Sequence, residues 1–209
     1  NVAEETDEHL TEFHHQGIQG HHGHFEIVET TVSHLFRESC EALHGLSYGQ
    51  LLAKTLRQLG WWNPKPNRIV EVGAGLGYLS QEMAKELLPV ERRNVEYIFL
   101  DLTRPFLHSQ LDLAINAGWS ARALNANAEY LPLADASVDL VIDNENLADM
   151  TPTHFTKKEL ESREGAPEER QRSLELIKKL RLNLDKPYPD EAIFNYGAIK
   201  FLIELWRVL

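Results

Sequence analysis

The sequence predicts an α/β fold in which helices cover both faces of a parallel sheet. Two observations support this prediction: short apolar runs alternate with segments of helical periodicity, and the first such run leads directly into a glycine-rich turn. Parallel strands need crossover connections, so the order strand, helix, strand, helix is typical of such a sheet. The 209 residues can bury one good core, and one main domain is therefore the simplest organisation.

The chain before the sheet, residues 1–66, is expected to be a polar arm followed by a helical cap. From Phe25 to Leu46 the apolar residues recur with helical spacing. The segment from Ser47 to Leu59 is the clearest helix of the chain. Ser47 and Gln50 can form a capping box at its start, and Gly60 ends it.

The core is expected over residues 67–150, where four strands alternate with two crossover helices. The strands are predicted at Arg68–Val72, Val95–Asp101 and Ser120–Leu124, with the fourth inside Ser137–Asn146. The helices are predicted at Leu79–Leu88, before Pro89, and at Phe106–Ala117, before Gly118.

A glycine-rich turn follows the first strand directly. Gly73, Gly75 and Gly77 are spaced two apart, and a helix is expected to begin near Tyr78. Glycine is needed where a ligand lies against bare backbone, because a Cβ would block the approach and positive φ is cheap only for glycine. The helix also points its free N–H groups into the turn. A nucleotide-binding turn is therefore predicted, the alternative being a strand-to-helix turn without a ligand.

The glycine spacing separates two kinds of ligand. A dinucleotide site would show G-x-G-x-x-G with an acidic residue about 20 positions later, whereas this chain has G-x-G-x-G with Glu71 two residues before the first glycine. This pattern resembles the first motif of class I S-adenosyl-L-methionine (SAM) dependent methyltransferases. The resemblance implies that the methionine end of SAM lies over Gly73, Ala74, Gly75 and Gly77, with Glu71 near its ammonium group.

Two later segments resemble the same family in the same order. The strand Val95–Asp101 ends in a carboxylate where doubly wound folds hold ribose hydroxyls, and Leu102 beside it could cover one face of adenine. The segment Asn127–Leu133 resembles the family's Asp-Ala-x-x-Leu-Pro-Phe loop, which implies that Asn127, Ala128 and Glu129 contact the cofactor. Asn127 stands where Asp is usual, and its carbonyl oxygen can still accept a hydrogen bond from the adenine amino group.

A third segment, Ser137–Asn146, resembles the family's fourth strand and the acceptor-facing residues that follow it. Methyl transfer from a sulfonium is an in-line displacement, so a general base matters only when the acceptor must lose a proton. Glu145 is the first candidate for that base, with Asn144 as an orienting hydrogen-bond partner. Asp143 is expected at the cofactor, and Asp143 and Asp149 are weaker candidates for the base. Each acid could instead be only a helix cap or a surface group.

Together the motifs imply a Rossmann-like class I methyltransferase fold whose C-terminal strands are missing from this chain. The segment Phe201–Leu209 resembles the helix that precedes those strands, so residues 196–209 are expected to begin the C-terminal part of the core. Residues 151–195 are expected to be an inserted helical lid. Pro167–Leu184 is predicted as its amphipathic helix, which would cover the site or contact a partner, and the alternative is a solvated loop with one surface helix.

The composition argues against some partners. A net charge of −11 disfavours nucleic acid, because phosphate binding needs clustered Lys and Arg. No apolar run approaches the roughly 20 residues of a membrane span, and Cys40 is the lone cysteine. A cytoplasmic setting is therefore expected, with the chain as part of a larger multidomain protein.

The polar arm holds six of the ten histidines, and they are His9, His14, His15, His21, His22 and His24. They could form a metal site or a proton-handling wall, or they could belong to a solvated arm. No carboxylate or cysteine completes a recognised ligand set, so no metal site is predicted.

Two functions remain open from the sequence. The first is a SAM-dependent methyltransferase that acts on a small molecule or on an acceptor tethered to a carrier protein. The second is a SAM-binding module without methyl transfer, which serves assembly or regulation.

Overall fold

A four-stranded parallel sheet forms the centre of the molecule, with the strand order β3-β2-β1-β4. The computed structural model describes residues 36–62, 67–162, 168–180 and 190–209. The strands are β1 (Asn67–Val72), β2 (Val95–Asp101), β3 (Ser120–Asn125) and β4 (Leu140–Asp143). The predicted fold class is confirmed, because every strand pair in this sheet is parallel and the order reverses between β1 and β4.

Both faces of the sheet are packed, which explains why β1 and β2 are almost continuously apolar. One core contains Ile69, Tyr97 and Phe99 together with residues of the helices that precede and connect the strands. The opposite core contains Val70 and Leu100 among others and packs against the C-terminal helix. Successive strand residues point to opposite faces, so each strand contributes to both cores.

Four α-helices that lie wholly within the described residues precede β3. They are α1 (Tyr48–Gln58), α2 (Tyr78–Lys85), α3 (Pro89–Arg93) and α4 (Arg104–Asn116). The predicted capping box is confirmed, because Ser47 Oγ accepts from Gln50 N while Ser47 N donates to Gln50 Oε1. The helix predicted to reach Leu88 ends at Lys85, and Pro89 begins α3 because proline is well suited to the first helical turn.

The helix predicted from Phe25 to Leu46 is wrong over its last residues. Cys40 and Leu46 form an antiparallel bridge around a 3₁₀ turn, Glu41–Leu43. His44 and Gly45 both have positive φ, which closes this loop and is incompatible with a continuing α-helix. The part of the prediction before Phe36, like the histidine-rich arm, lies outside the described residues.

The insert after β4 was predicted to be helical, but it also contains two strands. It contains β5 (Thr153–Thr156) and β6 (Glu191–Phe194), which pair antiparallel, together with α5 (Lys157–Ser162) and α6 (Glu168–Lys179). Phe155, Leu160 and Leu174 form a small core of their own. The amphipathic helix predicted to reach Leu184 ends at Lys179, and Leu180, the next residue, is exposed.

The last helix, α7 (Tyr196–Val208), packs on the second core through Phe201 and Val208. Arg207 on this helix donates to the carbonyl oxygens of Leu131 and Leu133 at 2.8 and 2.7 Å. The helix therefore holds the loop that was predicted to read adenine. None of the described helices is long and apolar enough to cross a membrane.

We expect Ser47→Ala to lower the free energy of unfolding by about 1–3 kcal/mol. The hydroxyl of Ser47 is fully buried, caps α1 and donates to Glu82 Oε2 at 3.1 Å. Urea unfolding followed by circular dichroism measures the change.

The matched control is Thr55→Ala on the same helix, where the hydroxyl is exposed and donates only to Leu51 O of its own helix. Its effect should stay within about 0.5 kcal/mol. Equal losses in both variants would contradict the role given to the buried cap.

Candidate functional site

The carboxyl ends of the central strands meet at one edge of the sheet. Val72, the last residue of β1, lies opposite both Leu100 and Asp143. Gly73 N donates to Leu100 O at 3.0 Å, which joins the start of the turn to β2. Asp101 ends β2 one residue later. Three positions that the sequence analysis placed in the site, Gly73, Asp101 and Asp143, are thus neighbours.

The three glycines of the turn all have positive φ, and each has a different environment. A Cβ on Gly73 would lie 2.9 Å from the side chain of Asn146, and one on Gly77 would lie 2.9 Å from Gln110 Cα. A Cβ on Gly75 would meet nothing within 4 Å in the described structure. Gly77 is the N-cap of α2, so the first N–H groups of that helix face the turn. Open backbone beside a helix N-terminus suits a charged or phosphate-like ligand.

Asp101 is buried and held by α4 and by the residue that caps that helix. Its Oδ1 accepts from Thr103 N and Thr103 Oγ1 at 3.0 and 3.1 Å, and its Oδ2 accepts from Gln110 Nε2 at 3.0 Å. Leu102, in contrast, is 46% exposed at the edge. The pair therefore presents a fixed carboxylate next to an accessible apolar side chain.

Glu71 does not lie on the open side of the turn. Glu71 lies on the same face of β1 as Ile69, the face that packs against α1, α2 and α4, and only 2% of Glu71 is exposed. Tyr97 Oη donates to Glu71 Oε2 at 2.7 Å. Burial raises the pKa of Glu71 from 4.5 to about 7, and the bond from Tyr97 opposes that rise. Ala74 packs beside the same core.

The predicted adenine loop forms a 3₁₀ turn, Ala128–Tyr130. Asn127 caps this turn, because its Oδ1 accepts from Glu129 N at 2.8 Å. Ala128 is buried against the second core. The oxygen expected to meet the adenine amino group therefore also has a structural role within the turn.

Glu129 points towards the insert and α7. Its Oε1 accepts from Thr151 N at 2.7 Å, and its Oε2 pairs with Lys200 Nζ at 3.3 Å. Lys200 also contacts Glu169 of α6 and Tyr130 Oη. Burial alone would lower the pKa of Lys200, but these hydrogen bonds and the charge of Glu129 outweigh it and raise the pKa. The loop, the insert and the last helix are thus joined at one ammonium group.

The segment after β4 places one polar side chain, that of Asn146, beside the glycine turn. Glu145 is exposed and has φ of 64°, a left-handed conformation that is uncommon for a residue with a side chain and is often found at functional sites. Asn144 is half-buried beside it, and Asn146 covers Gly73. Burial raises the pKa of Asp143. The hydrogen bond with the Asn146 side chain opposes this rise, and the negative charge of Asp149 adds to it.

Four residues that the sequence analysis did not assign take part in this arrangement. Tyr97, Gln110, Asn146 and Lys200 each contact a predicted site residue or its loop. For Gln110 a signal existed, because it shares the buried face of α4 with Phe106 and Ala114 and is the polar member of that face. The contact of Lys200 with Glu129 joins positions 71 residues apart, and no local pattern marks it.

A metal cluster is not present in the part of the chain that the structure describes. There, no three His, Cys, Asp or Glu side chains come close enough to hold an ion. The histidine-rich arm lies outside those residues.

One family model matches the middle of the chain. Residues 69–161 match the family model described as "Methyltransferase domain". No curated protein matches the chain.

Several solved structures are similar over part of their length. An uncharacterized ACR superfamily protein from Burkholderia thailandensis is 23% identical, over 72% of this chain and 36% of that chain, with a TM-score of 0.46. The CurJ carbon methyltransferase is 22% identical, over 58% and 32% of the two chains, with a TM-score of 0.42. A SAM-dependent methyltransferase from Aquifex aeolicus is 17% identical, over 56% and 69%, with a TM-score of 0.36. The chain spans only 38% of the YcgJ protein from Bacillus subtilis.

The buried Glu71 should make the free energy of unfolding depend on pH. Its pKa is raised in the folded state, so its stabilising protonated form is fully present below about pH 4.5 and is lost as pH rises through about 7. The loss amounts to about 3 kcal/mol, at about 1.4 kcal/mol per pKa unit. Glu71→Gln does not titrate, so the difference in the free energy of unfolding between wild type and variant, measured by urea unfolding, should change by that amount from pH 4 to pH 8.

Tyr97→Phe is the matched control for this measurement. It removes the hydrogen bond that opposes the raised pKa, so the pH at which stability is lost should move upward. Stability curves of wild type and Glu71→Gln that run parallel over the whole range would show that Glu71 does not titrate there.

Proposed function

We propose that this chain transfers a methyl group from SAM to a small-molecule or carrier-tethered acceptor, because residues 69–161 match the family model described as "Methyltransferase domain". S-adenosyl-L-methionine is the methyl donor of such domains. The observation that carries the proposal is the open backbone at Gly75, next to the N-terminus of α2 and the carboxylate that ends β2.

The residues at the sheet edge fit SAM in charge and shape. Gly75 leaves room where a Cβ would stand, and the cofactor's methionine end would lie along Gly73–Gly77. Asp101 would accept from the ribose hydroxyls, and the exposed Leu102 would cover one adenine face.

Two expected cofactor residues take different roles in this proposal. Glu71 supports the turn from within the core and does not contact SAM directly, because its carboxylate is buried and bonded to Tyr97. Glu129 shapes the adenine loop through Lys200 and Thr151. Asp143 lies at the end of β4 beside Val72, which supports a contact with the charged methionine end of SAM.

The bound donor would supply an electrophilic methyl group on a positively charged sulfur. The protein must align the acceptor with it and exclude water, and little acid or base chemistry is needed. Where the acceptor carries a proton, Glu145 is the proposed base and Asn144 its orienting partner, because both follow β4 at the edge where ligands of such sheets bind. The exposure of Glu145 leaves its carboxylate able to reach an acceptor.

The insert supports an acceptor that is not a nucleic acid. Thr151 of the insert donates to Glu129 of the adenine loop, and Glu169 on α6 of the insert contacts Lys200 of α7. We propose that residues 151–195 form a lid that helps select the acceptor. The net charge of −11 supports a small or carrier-tethered acceptor over RNA or DNA, and the single Cys40 supports a cytoplasmic setting.

A second function, SAM binding without methyl transfer, has one observation in its favour. Asn127 replaces the usual Asp, and its oxygen already accepts from Glu129 N. Release of S-adenosylhomocysteine in the presence of a panel of acceptors supports the enzyme, whereas binding of SAM without release supports the module.

We expect Gly75→Asn to reduce SAM affinity by about 100-fold or more, because the cofactor then meets a side chain on the open backbone. Asn tolerates positive φ better than other residues with a side chain, and nothing lies within 4 Å of the new Cβ, so the variant should fold. Isothermal titration calorimetry measures the affinity.

Gly60→Asn is the control, because Gly60 also has positive φ and open space but ends α1, away from the sheet edge. It should bind SAM as the wild type does. Unchanged affinity in Gly75→Asn would refute the placement of the cofactor on this turn.

Glu145→Gln should leave SAM binding nearly intact and lower kcat by about 100-fold for an acceptor that must lose a proton. The variant keeps the size of the side chain and removes its basic oxygen. Turnover assays and calorimetry on the same preparation separate the two effects.

Asp149→Asn serves as the comparison, since Asp149 is a second exposed acid in the segment that follows β4. Loss of turnover in Asp149→Asn alone would transfer the role to that residue. Equal loss of binding and turnover in Glu145→Gln would show that Glu145 shapes the pocket.

A further inference from the structure

Gln110 links the two parts of the proposed cofactor site. It lies on α4 and is fully buried. Its Nε2 donates to Gly75 O at 2.9 Å and to Asp101 Oδ2 at 3.0 Å. One side-chain amide therefore joins the turn after β1 to the carboxylate at the end of β2.

The orientation of this amide is determined by its partners. Both groups that receive its hydrogen bonds are oxygen acceptors, so a flipped amide would place Oε1 against two oxygens. In the present orientation Oε1 is buried and finds no hydrogen-bond partner among the described residues. An unsatisfied buried oxygen costs stability. Gln110 thus makes two hydrogen bonds at the edge of the sheet and leaves one buried oxygen unsatisfied.

The backbone around Gln110 is packed so that this side chain can reach both partners. A Cβ on Gly77 would lie 2.9 Å from Gln110 Cα, so the glycine permits the close approach of α4 to the turn. Ser109, the preceding residue, donates to Leu76 O at 3.3 Å. The helix is thus bonded to the turn at two successive residues, and only Gln110 also reaches Asp101.

We propose that Gln110 is a positioning residue that aims the Asp101 carboxylate at the ribose hydroxyls of SAM and sets its distance from the glycine turn. This inference rests on the proposed SAM site. A carboxylate whose direction is already fixed loses no rotational freedom when the ligand binds, which strengthens its hydrogen bonds to the ligand. The benefit is confined to ligands that carry ribose hydroxyls.

The test compares S-adenosylhomocysteine with its 2′-deoxy analogue by calorimetry. Wild type should prefer the hydroxylated ligand by about 10- to 100-fold, as expected for a hydrogen bond to a charged group. Gln110→Met removes the donor and keeps the volume. It leaves Gly75 O and Asp101 Oδ2 without this hydrogen bond, so we expect a lower melting temperature, and circular dichroism checks that the variant is folded before titration. Its preference should fall to within about threefold of the value for Asp101→Asn, which lacks the carboxylate.

The variant Gln110→Glu tests whether the amide donor or the shape of the side chain is needed for the preference. It keeps the size but places a carboxyl group beside Asp101, and the preference should be lost here as well. Ser109→Ala is the matched control on the same helix, because it removes a helix-to-turn bond without touching Asp101. It should keep the wild-type preference.

Three results would overturn the inference. They are a wild type that binds both ligands equally, a Gln110→Met variant that keeps the full preference, and a variant that weakens both ligands by the same factor. The last would assign Gln110 a purely structural role. A wild type that binds neither S-adenosylhomocysteine nor SAM would instead refute the proposed function itself.

Discussion

The site depends on one stretch of peptide backbone, at Gly75, that stays uncovered beside a packed core. The three glycines divide this work between them. Gly73 makes room for the side chain of Asn146, and Gly77 makes room for α4. Only Gly75 faces open space. In the G-x-G-x-G motif, the first and third glycines are therefore needed for close packing and the second leaves room for a ligand. The parallel sheet places all three glycines beside the carboxyl ends of its strands.

Buried polar groups surround this backbone, and each is joined to a different element of the fold. Glu71 is paired with Tyr97 across two strands, and Glu129 is paired with Lys200 across the adenine loop and the last helix. Burial of such groups is costly unless they are hydrogen-bonded. Their concentration at one edge, with a raised pKa at Glu71, is typical of a functional site rather than of a region that serves stability alone.

Sequence periodicity predicted the core well, because its strands and helices are long enough for apolar residues to recur several times. The bounds of β2 were predicted to the residue, and the other core strands and helices to within a few residues. The short strands β5 and β6 were missed, because a strand of four residues shows only two cycles of apolar and polar alternation, too few to be recognised in the sequence. The loop around His44 was missed for another reason: its helix-like spacing is overridden by a local backbone conformation.

The sequence by itself determined the parallel sheet, the glycine turn, the carboxylate after β2 and the order in which these features occur, because each depends on residues adjacent in the chain. Only the tertiary structure decided which side chains act together. Gln110 reaches Asp101 because α4 folds back onto the sheet, and Lys200 meets Glu129 because α7 packs beside a loop 70 residues earlier. Such contacts arise from packing in space, which no local pattern of residues records.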